Sequence, residues 1–279
     1  MVLEVLELGF MQRALIAGVA IAITTSVIGL FLVLRRNSLF GDALSHVAFG
    51  GIAVGLVANV YPLWTGVAFS VLGALGITKL RRSAKIPADA TVAILLASGL
   101  ALGLVLFSLS GQLFNISSYL FGSILVVSIE DTLAILAMAG AILAIVILLY
   151  RQLLYVTFDE EQAKVSGLQI SKLNYLFVVL ASVAVIVSMR LVGILLVSAL
   201  IVIPNITALL LGKGFKKTAL ISVGISIFSV VTGIAVSYAA NLPPAATIVI
   251  VSIVMLLATL AAKYFSKKQM EEKLEAARS

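Results

Sequence analysis

Apolar residues fall into nine long runs, at about 10–34, 43–59, 62–78, 90–109, 132–150, 173–189, 192–211, 218–240 and 245–263, separated by charged or turn-forming clusters. Each run approaches the roughly 20 residues that carry a helix across a hydrocarbon core. The pattern predicts an all-α, polytopic transmembrane bundle of about nine spans. The stretch from Leu173 to Leu211 holds one charge, Arg190, and is about twice the length one span can use, so a turn near "MRLVG" divides it.

Three segments depart from plain spans. "SGQLFNISSYLFGS" is too apolar for an ordinary loop and too polar to face lipid, and reads as a short re-entrant or interfacial helix covered by protein or water. In "IVIPNITALLLGKGFKK", Pro204 is expected to end or kink its helix. "AANLPPAATIV" reads as a tight turn with Pro244 in the first turn of the last helix. The chain is therefore one transmembrane domain over 1–265, with a tail at 266–279 that reads as a solvated helix end.

Composition sharpens this picture. With 62% hydrophobic residues, 11% charged residues and a mean hydropathy of +1.22, the chain lacks the polar surface of a soluble domain. The amino terminus, "MVLEVLELGF", has no basic region of the kind that opens a cleavable signal, and the first run reads as a retained span. The net charge of +7 has no soluble groove to serve, so no nucleic-acid partner is expected. Its distribution is informative instead. Of 19 Lys and Arg, all but Arg13 and Arg190 fall in clusters that alternate spans place on one side: Arg35-Arg36, Lys79–Lys85, Arg151–Lys172, Lys213–Lys217 and the tail from Lys263. The positive-inside rule then puts the amino terminus outside and the carboxyl terminus in the cytoplasm.

Candidate chemistry is sparse. No cysteine is present, which removes disulfides and thiolate ligands. "FGDALSHVAFGG" places Asp42 and His46, the only histidine, at i and i+4 on one helix face. Imidazole and carboxylate both suit Mn, Fe or Zn, but two ligands do not close a site. A two-fold related copy of the pair would give four. The other reading makes Asp42 a helix N-cap and His46 an ordinary bonded residue, and both readings stand on the sequence. Asp89, at the start of the fourth span, is a cap or a pathway-lining group. Asn115 and Ser118 in the irregular segment are further candidates for lining a pathway. Glu130 and Asp131 either attract cations or cap the fifth span. No Walker-type, "HExxH" or "GxSxG" motif occurs, so the chain reads as a transport protein and not an enzyme.

Five segments, "LRRNSLFGDALSHVAFGGIAVG", "NISSYLFGSIL", "FDEEQAKVSGL", "VGILLVSALIVIPNITALLL" and "LPPAATIVIV", resemble in order the signature segments of the manganese- and zinc-type ABC importer permeases, over about residues 10–262. The resemblance implies a type II importer fold, similar to that of the vitamin B12 and siderophore permeases without their first span, in a prokaryotic inner membrane. It implies a homodimer surrounded by lipid, a separate cytoplasmic ATP-binding subunit and an extracellular metal-binding protein. No tightly bound cofactor is implied, only a transported divalent ion (Mn, Zn or Fe). It also implies that Asp42 and His46 take part in metal passage, and that the segment after Pro204, with Asn205, Leu209, Leu210, Gly212 and Lys213, docks the ATPase, "FDEEQAKVSGL" being next in line. The rival reading is a proton- or sodium-coupled secondary transporter using Asp42 and His46 as an ion relay.

Overall fold

The computed structural model describes residues 9–84, 86–110, 120–122 and 128–276. Its α-helices are α1 (Gly9–Leu34), α2 (Phe40–Val57), α3 (Pro62–Ala84), α4 (Ala88–Ser110), α5 (Ile129–Leu148), α6 (Tyr150–Phe158), α7 (Glu160–Val165), α8 (Ile170–Val192), α9 (Val197–Leu210), α10 (Phe215–Ala240) and α11 (Pro244–Ala276). A 3-10 turn, Ile194–Leu196, joins α8 to α9. Among the described residues, eight helices are long and apolar enough to span a membrane, and the shorter apolar stretch Ile194–Leu210 supplies a ninth segment. The all-α bundle expected from the apolar runs is the fold, and the chain is a multi-pass membrane protein.

Where the boundaries differ, a local bond explains it. The second span starts at Phe40 because the Phe40 N–H donates to the Asn37 carbonyl at 3.1 Å and Ala43 N–H to that of Leu39 at 3.2 Å, so the turn is already wound before the apolar run begins. The long stretch after Leu173 divides at Gly193, whose φ of +74° suits glycine. A side chain there would also strike the backbone of Leu120, Phe121 and Gly122, the nearest atoms being 2.4 Å from a Cβ. Pro204 does not end its helix. It sits inside α9, where Asn205 Nδ2 donates to the Ile201 carbonyl at 2.7 Å and Thr207 Oγ1 to that of Ile203 at 2.8 Å. Pro204 leaves the Leu200 carbonyl without its usual N–H partner, and these side-chain donors serve the carbonyls of Ile201 and Ile203 in the turn around it. Pro244 opens α11 as expected, and α11 continues as one helix through residue 265.

Helices in lipid gain little from apolar burial against one another, so close packing and interhelical hydrogen bonds hold them. The centre of the bundle is α1 and α2, whose most apolar windows are 67% and 78% buried, against 22% for α4 and α11. A polar chain crosses the interior from α1 through α10 to α9: Ser26 Oγ donates to Ser222 Oγ at 2.8 Å, and Ser222 Oγ to Asn205 Oδ1 at 2.7 Å. One end of the bundle gathers the Lys and Arg clusters and is called the basic end below. At the opposite end Ser128 caps α5 in a capping box with Asp131, and Tyr61 donates to Asp131 Oδ1 at 2.6 Å, tying α3 to α5. The cap thus belongs to Ser128, and Asp131 completes it; Glu130 is left exposed.

Candidate functional site

Asp42 is the third residue of α2, and its helix is capped at Leu39 without any side-chain bond. This overturns the N-cap reading of Asp42. Its carboxylate is spent on no hydrogen bond among the described residues and lies in the first turn, where the helix dipole favours a negative charge. One turn on, His46 Nε2 stands 3.9 Å from Asp42 Oδ1, too far for a hydrogen bond between them. The separation is close to the roughly 3.0–3.4 Å that two ligands about 2.1 Å from one cation would take. The His46 side chain is 7% exposed and that of Asp42 24%. His46 Nδ1 is buried without a hydrogen-bond partner among the described residues. An orphaned imidazole nitrogen beside an unbonded carboxylate is costly in a merely structural site. As donors the two groups fit a borderline divalent cation. No group of three or more His, Cys, Asp or Glu gathers around a common point among the described residues, so one chain offers a pair of ligands and not a closed set.

The pair is held from two sides. From α4, Gly99 lies so close that a Cβ would come within 2.6 Å of the backbone of His46 and Val47. From the α8–α9 break, the Ile194 carbonyl accepts from Ser45 Oγ at 3.4 Å, while the same hydroxyl donates to the Asp42 carbonyl at 2.7 Å. Helix breaks that reach the binding turn are a recurrent feature of membrane transporters. Ser45 and Gly99 are support residues that sequence reading passed over. Small residues are frequent throughout the spans, and nothing in their spacing singles these out.

The other sequence candidates are scattered. Asp89 lies in the first turn of α4 rather than at its cap. Asn115 and Ser118, with most of the "SGQLFNISSYLFGS" segment, lie outside the described residues. Asn205 is fully buried and bonded within the polar chain, so it cannot form part of a docking surface. Leu209 and Leu210 are half-buried, and the Leu210 carbonyl accepts from Lys263 Nζ at 2.9 Å. Gly212 and Lys213 are exposed at the basic end in the short turn between α9 and α10.

The segment "FDEEQAKVSGL" is not a loop. It holds the last residue of α6 and the whole of α7, a helical pair outside the spans built around a small centre of Val156, Ala163 and Leu173. Asp159 caps α7, its Oδ1 accepting from the Gln162 N–H at 2.9 Å. In the sequence Arg151–Lys172 reads as one charged cluster, because its apolar positions are too few and too short to show a span.

Comparison with known proteins agrees with this architecture. The family described as "ABC 3 transport family" matches residues 7–263. A "Probable metal transport system membrane protein" of Treponema pallidum (strain Nichols) is 35% identical over 256 residues, covering 92% of this chain and 96% of its own. The manganese transport system membrane protein MntC of Listeria innocua is 30% identical over 269 residues, covering 95% of this chain and 96% of that one. Among solved structures, PsaBC from Streptococcus pneumoniae in complex with Fab superposes with a TM-score of 0.83 at 30% identity, over 92% of this chain and 94% of the matched chain. Among the described residues nine apolar segments form the bundle and its most buried span carries the Asp42–His46 pair; with the family match over residues 7–263 the chain is a transport component and not an enzyme, and it belongs to the ABC 3 transport family.

Proposed function

We propose that this chain is the permease subunit of an ATP-driven importer of divalent transition-metal ions, and that it works as a homodimer. The observation that carries the reading is the Asp42–His46 pair: an unbonded carboxylate and an orphaned imidazole nitrogen on the most buried span, within reach of a common cation. Two copies related by a two-fold axis supply two carboxylates, which offset the charge of a dication, and two imidazoles, which select against Ca and Mg. The names of the relatives support manganese or a similar ion as cargo. The basic end faces the cytoplasm by the positive-inside rule, which leaves the amino terminus outside.

The test is manganese uptake by proteoliposomes holding the permease with its ATP-binding subunit. Uptake is expected only with ATP. Uptake that persists without ATP and follows a proton or sodium gradient would replace this reading by secondary transport.

An ATP-binding subunit would meet the basic end, and two segments compete for it. The turn of Leu211–Gly214 is exposed but only four residues long. The α6–α7 pair is a folded body outside the spans, and it leaves Phe158 64% and Val165 89% exposed. Exposed apolar groups on such a body are what a partner's groove covers. The main docking role is therefore assigned to α6–α7, with Gly212 and Lys213 beside it. Val165→Asp is expected to release the ATP-binding subunit during co-purification, whereas Leu211→Asp weakens the complex less. The reverse order would return the docking role to the α9–α10 turn.

A further inference from the structure

Arg35 follows α1 directly, with four residues between it and α2, and its guanidinium joins two other helices. Nε donates to Thr157 Oγ1 on α6 at 2.9 Å, and Nη1 donates to Asn174 Oδ1 on α8 at 3.0 Å. Its Cζ lies 4.4 Å from the centre of the Phe177 ring on α8, a cation–π contact. Asn174 extends the network, Nδ2 donating to Glu160 Oε1 on α7 at 3.4 Å. The backbone of the same residue closes α1, Arg35 N–H donating to the Phe31 carbonyl at 3.0 Å. One side chain thus connects the proposed docking pair to the corner that leads into the Asp42–His46 helix.

The network is incomplete in one respect. Arg35 Nη2 is buried with no hydrogen-bond partner among the described residues. Burial pushes the guanidinium down to about 10, and the field of the Glu160 carboxylate opposes this. A buried guanidinium donor without an acceptor is unfavourable, and a carboxylate is the acceptor that suits it best. Glu160 is exposed, lies on a helix of only six residues, and borders the same cavity of about 590 Å³ as Arg35, Arg36, Asn37, Phe40 and Asn174. That cavity leaves α7 room to approach.

We propose that Arg35 is a positioning residue that transmits movement of α6–α7 to the α1–α2 corner, and that in a second state of the subunit Glu160 closes onto Arg35 Nη2. This rests on α6–α7 being the docking body. The two arrangements differ by one charge-assisted bond at a junction of four helices, which is the kind of bistable contact that conveys a distant event.

The chain has no cysteine, so spin labels at Leu39→Cys and Gln162→Cys report the distance between the α2 approach and α7 without background. In the complex with its ATP-binding subunit, two distance populations are expected, with nucleotide trapping shifting their weights. Glu160→Gln is expected to remove the shorter one. Manganese carried per ATP hydrolysed is expected to fall about tenfold in Glu160→Gln and in Arg35→Lys, the population change that one charge-assisted hydrogen bond supports. Arg35→Lys keeps the charge but loses the fork, so a loss there points to geometry and not to net charge. An unchanged distance distribution in Glu160→Gln, or an unchanged transport ratio in both variants, overturns the proposal. A wild-type complex that carries no manganese counts against the permease reading, while the distance measurement still decides the closure.

Discussion

Asp42→Asn is expected to abolish manganese uptake while the protein stays folded in the membrane. Asparagine keeps the volume and one carbonyl oxygen but removes the charge. In a two-fold dimer the substitution removes two negative charges from around a dication and leaves only neutral donors. Disturbing a mere outer-shell partner of a metal commonly lowers affinity roughly 10–100-fold, so loss of the ligand charge itself should exceed that. Stability should change little, because the carboxylate makes no hydrogen bond among the described residues and is 24% exposed. Only its interaction with the helix dipole is lost, about 0.3–1 kcal/mol. Uptake and membrane abundance measured on the same cells separate the two effects. Full uptake by this variant would remove Asp42 from the pathway. Co-expressed wild-type and Asp42→Asn subunits add a test of the shared site, since mixed dimers should also fail if four ligands act together.

Gly99→Ala is expected to destabilise the bundle and to displace the proposed metal site, although alanine is the better helix former by about 0.8–1.0 kcal/mol. The new methyl would lie 2.6 Å from the carbonyl carbon and oxygen of His46 and from the Val47 nitrogen. These are backbone atoms inside a helix and cannot rotate away as a side chain would. Either α4 retreats or α2 turns, and overpacking of this kind costs about 1–3 kcal/mol. In the proposed dimer a turn of α2 also moves His46 relative to its partner copy. Gly76→Ala and Gly140→Ala provide the contrast, for a Cβ at either position meets nothing within 4 Å. Those two should be neutral or slightly stabilising. Thermal unfolding in detergent together with metal binding reads both effects, and a Gly99→Ala protein as stable and as competent as Gly76→Ala would show that the α2–α4 contact is slack.

Much of this was legible in one dimension. The Lys and Arg clusters alternate with apolar runs, and the doubled run after Leu173 exceeds one span, so a break was required; glycine at 193 gives it a residue suited to positive φ. The i, i+4 spacing by itself places Asp42 and His46 on one helix face. Of the two outcomes expected of Pro204, an end or a kink, the first does not occur, because α9 runs on through it to Leu210. The resemblance alone puts Asn205 in the docking segment; in the structure it is fully buried, and a serine 17 residues away bonds to it inside the bundle.

The sequence by itself determined how many long apolar segments there are, which end is basic and which two side chains share a face. These follow from periodicity, run length and charge, all of them local. Only the tertiary structure decided that α2 is the most buried span, that Asp42 is not a cap, that Gly99 and Ser45 hold the site turn, and that Arg35 joins α6 and α8 to the corner before α2. In a chain whose spans are almost uniformly apolar, hydropathy cannot say which face meets a neighbour and which meets lipid. That choice is made by close steric fit and by a few interhelical hydrogen bonds between residues far apart in sequence, and neither leaves a mark in the pattern.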